Sequence, residues 1–227
     1  MADSETFPQG EVAFSRIKRA ILQLEFRPGE RISERRLEGM LGASRTPVRA
    51  ALLRLETEDL VRRDGNSWQV TPLDADEALE AFDFRCMIEL ESVRRAMKLG
   101  TRQDFDRLSD ILTESESAEQ DELFLPATAM FHVEIARITR NRFLTRSIIE
   151  VLQRLIRVRM LVLKLEITRD HAQDDHRAIA AAIRSGNVAR ATKLMKDHLA
   201  WTRQMLTEEL DQRRKRKVLQ GGGTTLL

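Results

Sequence analysis

The sequence predicts a mostly α-helical chain in two parts: a small N-terminal unit closed by a two-strand hairpin, then an all-helical bundle. Three observations predict it. Leu, Arg, Ala and Glu abound, tyrosine is absent, and only 5 of the 227 residues are proline, which is a helix-rich composition. Beyond residue 74 apolar positions recur with helical period and nothing alternates as a strand would. Turn chemistry crowds into the first third, at Arg27-Pro28-Gly29, Gly42-Ala43 and Asp64-Gly65-Asn66.

Taken in order, residues 1–10 are expected to be disordered. Residues 11–24 read as a helix with Val12, Ile17, Ile21 and Leu24 near one apolar stripe. Ser33 is suited to N-cap a short helix through Leu41. After the Gly42-Ala43 turn, Thr46-Pro47 starts a further helix, with Thr46 as cap and proline at its first position, running to about Asp59. Residues 60–63 and 68–71 flank a hairpin turn and read as two strands. The boundary falls at 72–76, where Asp74 and Glu77 have capping-box spacing ahead of a helix to Leu99. Further helices are expected at 102–120, 126–139, 141–165, 170–184 and 187–212. The domains are therefore 11–73 and 74–212, with 213–227 a basic flexible tail.

Composition excludes several classes. No window of about 18 residues is free of charge, so no segment can span a bilayer as a helix. The acidic start lacks the apolar core of a secretory signal. One cysteine, Cys86, rules out an internal disulfide framework or a Cys-rich zinc module and reads as a buried small hydrophobe. A cytoplasmic protein is expected. The net charge is only +2, but residues 14–73 carry 12 basic against 8 acidic residues.

Helix, short helix, tight turn, second helix and hairpin make a winged helix-turn-helix, and the chemistry at the second helix suits DNA. Its free N–H groups and dipole favour phosphate. Arg45 and Arg49, four apart, project from one face; each can grip guanine O6 and N7, or phosphate equally well. Thr46 can bond a phosphate or a base edge, and Arg35 opens the preceding helix, where such a motif crosses the backbone. Val48, Leu52 and Leu55 face away and hold the helix down. A solvated charged face is the competing reading of the two arginines.

Residues 11–73 resemble the DNA-binding domain of the GntR family of bacterial transcription regulators. The matching stretches are Phe26-Arg27-Pro28-Gly29-Glu30-Arg31-Ile32-Ser33-Glu34-Arg35-Arg36-Leu37, then Leu41 through Leu52 around Ser44-Arg45-Thr46-Pro47-Val48-Arg49, and Leu55-Glu56-Thr57-Glu58-Asp59-Leu60-Val61. The resemblance implies DNA contacts from Arg35, Ser44, Arg45, Thr46 and Arg49, with the wing tip near Gly65 approaching the minor groove. Asp59 departs from the pattern, where the family usually has glycine.

In the second domain the histidines carry the chemistry. His176 lies about ten residues before the Ser185-Gly186-Asn187 turn and His198 about eleven after it, so a helix hairpin sets them at one height. His132 lies on another helix. Three such imidazoles can bind a divalent metal, Zn²⁺ or Ni²⁺ suiting them best; satisfied polar residues in helix interfaces are the alternative. His171, five before His176, is off that face.

Residues 74–212 resemble the all-helical ligand-sensing FCD domain of the FadR-like branch. Phe84-Arg85 with Glu89, Phe131-His132 with Asn141, and His176-Arg177-Ala178-Ile179 through His198-Leu199 carry the likeness. Many members hold a metal with an aspartate and three histidines. Those positions fall on Thr128, His132, His176 and His198, so the aspartate is replaced by Thr128, which should weaken or retune the site. The resemblance also implies a small organic-acid effector, with Arg85 the residue best matched to hold it; an ion pair to Glu89, four residues on, is the alternative. Arg137 and Arg140 read as weaker candidates.

These strands imply a non-enzymatic regulator, by family habit a repressor. It would be a homodimer reading a palindromic operator in double-stranded DNA, since two-fold symmetry of protein and site go together. An architectural DNA-binding dimer without effector, or a His-ligated metal hydrolase, are the competing readings. The hydrolase leaves the winged helix unexplained.

Overall fold

The computed structural model describes residues 9–117, 127–162 and 166–219. Side chains at 115–117, 127–128, 159–162, 166–170, 213 and 216–219 lie outside that description. The expected disorder of 1–8 also lies outside it. Nine helices and three short strands are present among the described residues. The chain divides into two compact units, one up to Asp74 and one from Ala75 onward.

The first unit opens with α1 (Gln9–Leu22), which begins two residues ahead of its expected start. It buries Ala13, Phe14, Ile17 and Ile21. Val12 is exposed, contrary to the expected stripe, because the inward face runs through Ala13 and Phe14 instead. Strand β1 (Arg31–Ile32) precedes α2 (Glu34–Leu41). Ser33 caps α2 as expected, its hydroxyl accepting from the Arg36 N–H at 3.2 Å. Gly42 ends α2 in the left-handed region at φ 62°, its N–H bonded to the Glu38 carbonyl. Helix α3 (Arg45–Thr57) buries Val48, Ala51, Leu52 and Leu55.

The start of α3 corrects the sequence reading. Ser44, not Thr46, is the N-cap residue, and its side chain makes no capping bond. Pro47 is therefore third in the helix rather than first. The shift costs nothing, because the first-turn N–H groups have no intrahelical partner to lose.

The hairpin forms between β2 (Val61–Asp64) and β3 (Ser67–Val70), each displaced by about a residue from expectation. β1 was not expected at all. It pairs antiparallel with β3, Arg31 opposite Gln69 and Ile32 opposite Trp68, giving the order β1-β3-β2. A two-residue strand has no period to read. Ile32, Val61, Trp68 and Val70 point into the core.

The second unit is entirely helical among the described residues: α4 (Ala75–Leu99), α5 (Arg102–Ser117), α6 (Ala127–Ile138), α7 (Arg142–Val162), α8 (Glu166–Arg184) and α9 (Val188–Leu219). Ala129, Val133 and Ala136 of α6 pack on Ile148 and Leu152 of α7. Helix α8 starts four residues early. Helix α9 continues to Leu219, so the expected flexible tail is helical over 213–219. Arg214 bonds Asp76 near the start of α4 at 2.6 Å, which fits a continuing helix better than a frayed end. Residues 220–227 lie outside the described residues.

Candidate functional sites: an arginine face and a buried histidine centre

In the first unit Arg35, Ser44, Arg45, Thr46 and Arg49 are all exposed: Arg35 on the first turn of α2, Ser44 at the N-cap of α3, Arg45 and Thr46 on its first turn, and Arg49 one turn further. Gly65 is exposed at the hairpin tip with φ 60°, a conformation a side chain would strain. The arginines are not equivalent. Arg45 Nε donates to Glu34 Oε2 at 2.6 Å. That hydrogen bond is the largest influence holding the Glu34 carboxyl below its usual range, with the Trp68 indole a second donor. Glu34 is the functional residue that sequence reasoning missed here; its place beside Arg35 carried no signal of a partner eleven residues on. On the wing, the Arg63 guanidinium lies 4.0 Å from the Trp68 ring centroid.

In the second unit α6, α8 and α9 bring His132, His176 and His198 together, all buried. One ring nitrogen from each lies within 4.8 Å of the other two. The Nε2 atoms of His176 and His198 are 3.3 Å apart. The helix-hairpin argument had set these two rings at one height. The Phe131 ring stacks on His176 at 4.5 Å.

Carboxylates orient two of the imidazoles. His132 Nδ1 lies 2.5 Å from Glu89 Oε2. His198 Nδ1 lies 3.0 Å from Asp175 Oδ2. Burial presses the Glu89 carboxyl upward, but the Arg85 and His132 charges outweigh it and its pKa falls to about 2. Glu89 is therefore an anion that can only accept, and His132 Nδ1 carries the proton. Burial likewise lowers His132 to about 4 against the pull of Glu89, so the ring is neutral at pH 7. Burial lowers His198 too, with Asp175 opposing. Asp175 was overlooked in the sequence, although it directly precedes His176.

Arg85 makes the expected ion pair to Glu89. It is 1% exposed and its Nε donates to Glu89 Oε1 at 2.5 Å. Its Nη2 lies 3.1 Å from His132 Nε2. Its Nη1 is buried with no hydrogen-bond partner among the described residues. Arg137 and Arg140 are exposed and paired, to Glu134 and Asp104. Cys86 is half-buried, with its thiol pushed up by burial. His171 stays outside the centre, exposed and against Trp201 with ring centroids 4.1 Å apart.

The three histidines fit a divalent metal. Zn–N bonds of about 2.0–2.1 Å put two tetrahedral ligands about 3.4 Å apart. The His176–His198 pair already has that spacing, and the widest pair, within 4.8 Å, would close by at most about 1.4 Å. A carboxylate on the far nitrogen of a ligand imidazole is the usual orienting device in metal sites. Thr128 stands in the first turn of α6, with its side chain outside the described residues.

Comparisons with known proteins agree with one another. The family described as "Bacterial regulatory proteins, gntR family" matches residues 9–70, and the FCD domain matches residues 80–200. The chain is 31% identical over 133 residues to the Nta operon transcriptional regulator of Aminobacter aminovorans, covering 57% of this chain and 63%, under two thirds, of that relative. It is 26% identical over 196 residues to the transcriptional repressor GlaR of Escherichia coli, covering 81% and 89%. A crystal structure of a transcriptional regulator from Rhodococcus sp. RHA1 aligns with a TM-score of 0.72 at 22% identity, over 88% of this chain and 97% of that one.

Proposed function

Because the chain belongs to the gntR family of bacterial regulatory proteins and carries an FCD domain, we propose that it regulates transcription by binding a palindromic operator as a homodimer in the bacterial cytoplasm. Repression is the mode proposed, as in the relative GlaR. Arg35, Arg45 and Arg49 read base edges or phosphates from the first turn of α2 and the first two turns of α3. Ser44 and Thr46 offer hydroxyls at the same helix start, and the Gly65 tip lets the wing approach the backbone closely. The observation that carries this reading is the exposure of Arg35, Ser44, Arg45 and Thr46 at two successive helix N-termini, where dipole and free N–H groups favour phosphate.

Control comes from the second unit. A small organic acid binds at Arg85, whose buried Nη1 is a donor in want of an acceptor. His132, His176 and His198 hold a divalent metal, Zn²⁺ or Ni²⁺, through neutral imidazole, with Glu89 and Asp175 fixing two of the rings. When bound, the metal supplies a cation with open positions for a ligand oxygen. The acid controls DNA binding only through different affinities for the DNA-competent and DNA-incompetent states. An unpartnered buried donor favours this over an architectural role, and regulator relatives leave a hydrolase without support.

The test is fluorescence anisotropy with a duplex from the region upstream of the chain's own gene and a scrambled duplex as competitor. Competitor-resistant binding that Arg45→Ala/Arg49→Ala abolishes is expected. Binding no tighter than to scrambled DNA, there and in selection from genomic fragments, overturns the regulator reading. For the second unit, stoichiometric Zn²⁺ or Ni²⁺ uptake is expected, and its absence from wild type and His132→Ala alike refutes the metal.

A further inference from the structure

Arg85 stands in an unusual relation to the histidine centre. Its three donor edges have three different fates. Nε is committed to Glu89 at 2.5 Å. Nη2 faces His132 Nε2 at 3.1 Å. Nη1 is buried without a hydrogen-bond partner among the described residues.

The tautomer of His132 decides what the second contact is. A guanidinium can only donate, so His132 Nε2, 3.1 Å from Arg85 Nη2, is the acceptor, and Nδ1, 2.5 Å from Glu89 Oε2, is the N–H. His132 Nε2 therefore presents its lone pair, and Arg85 Nη2 donates into it. That lone pair is the one a metal would need. Its metal bond would be about 2.1 Å long and would occupy the space where the guanidinium hydrogen now points. Two cations cannot share one imidazole lone pair. In a buried site with little water to screen them, their repulsion adds to the steric conflict.

We propose that Arg85 is a plug in the three-histidine centre, occupying the His132 lone pair until a carboxylate ligand draws its Nη edge away, so that metal and anion bind cooperatively. The proposal rests on the metal reading above. The chemistry favours it on two counts. The unpartnered Nη1 and the adjacent Nη2 form the fork that a carboxylate grips with two parallel bonds. The Nε–Glu89 bond anchors the guanidinium, so the fork can swing without the side chain leaving the site. By reciprocity, whatever factor the anion adds to metal affinity, the metal adds to anion affinity.

The test uses the full-length, metal-stripped protein with Zn²⁺ and acetate as probes. Zn²⁺ affinity is measured by competition with a chromophoric chelator, with and without acetate, in wild type and Arg85→Met. The plug predicts that acetate tightens Zn²⁺ binding at least fivefold in wild type. It predicts that Arg85→Met binds Zn²⁺ at least tenfold more tightly than wild type without acetate, the release of one charge-assisted hydrogen bond, and that acetate adds nothing there. Equal acetate enhancement in both proteins would mean that acetate is only a further metal ligand, and overturns the plug. No enhancement in either overturns it as well. Zn²⁺ uptake by neither protein removes the metal reading itself, a failure distinct from the other two. Should Arg85→Met not fold, histidine side-chain ¹⁵N spectra of metal-free wild type decide the matter. Acetate alone should shift the His132 Nε2 resonance toward that of an unbonded lone pair, and a resonance that does not move overturns the proposal.

Discussion

Glu34 holds Arg45: a carboxylate at the first position of α2 accepts from the Nε of the first residue of α3 at 2.6 Å, while the rest of the Arg45 side chain stays exposed. The bond fixes the near edge of the guanidinium in a side chain that is 72% exposed. It also offsets part of a charge that would otherwise seek any phosphate. Glu34→Gln should therefore bind non-specific duplex more tightly and discriminate less between cognate and scrambled DNA, by about five- to tenfold. The plot of log affinity against log salt should steepen by up to about 0.9, one additional phosphate contact. An unchanged discrimination ratio across a salt series would show that Glu34 does not position Arg45.

The histidine centre sets an acid limit on stability. In the unfolded chain a histidine takes its proton near 6.5, whereas burial holds folded His132 neutral down to about 4. Below pH 6.5 the unfolded state thus binds more protons than the folded one, and stability falls as pH falls. His198 is shifted in the same direction. Each contributes a slope of at most about 1.4 kcal/mol per pH unit. Glu89 adds to the loss only below its ordinary 4.5, down to about 2. In the metal-stripped protein Tm should fall steadily from pH 7 to 4.5, and less steeply in His132→Gln. A Tm that is flat or rises over that interval contradicts this account.

Asp59 adopts φ 56° after α3, in the left-handed region. An L-residue there costs about 1–2 kcal/mol unless its side chain is short and polar, as aspartate's is. Asp59→Gly should leave stability unchanged or raise it by up to about 1 kcal/mol, and Asp59→Val should lower it by about 1–2 kcal/mol. Urea unfolding followed by circular dichroism reads both. Equal stability of the two variants would mean that the backbone has moved out of that region.

Phe84 and Met87, three apart on α4, are 42% and 64% exposed. Apolar side chains placed together on a surface mark an interface more often than chance. If the proposed homodimer uses this face, Phe84→Glu/Met87→Glu should halve the mass seen by light scattering and leave the helical circular dichroism spectrum intact. A double variant that remains dimeric puts the interface elsewhere.

Much of this was legible in the residues themselves, for reasons that differ by element. Helix α2 is spelled out locally by its Ser33 cap and by Gly42, which allows the left-handed exit. The pairing of His176 with His198 follows from equal spacing about one turn. The start of α3 was misjudged because Ser44, Thr46 and Pro47 each suit a helix start, and local chemistry cannot choose between registers two residues apart. β1 escaped because its two residues are strand only by virtue of β3, where Arg31 meets Gln69 and Ile32 meets Trp68, 38 and 36 positions on. Glu34, Asp175 and the contact of Arg85 with His132 escaped for the same reason. Their partners are fixed by tertiary packing, and a charged residue on a helix looks the same in sequence whether solvent or a buried ring receives it.

The small strand β1 has a consequence for anyone who would rebuild this protein. The hairpin is stitched to the segment ahead of α2 not only by strand pairing but also by Gly29 N–H to Val70 O and Val70 N–H to Glu30 O, both 2.9 Å. It is thus not a detachable module. A chimera that imports another relative's wing over 61–70 alone would leave one border of the sheet facing a foreign edge. Such a graft should be cut to carry residues 29–32 with it, so that donor pairs with donor.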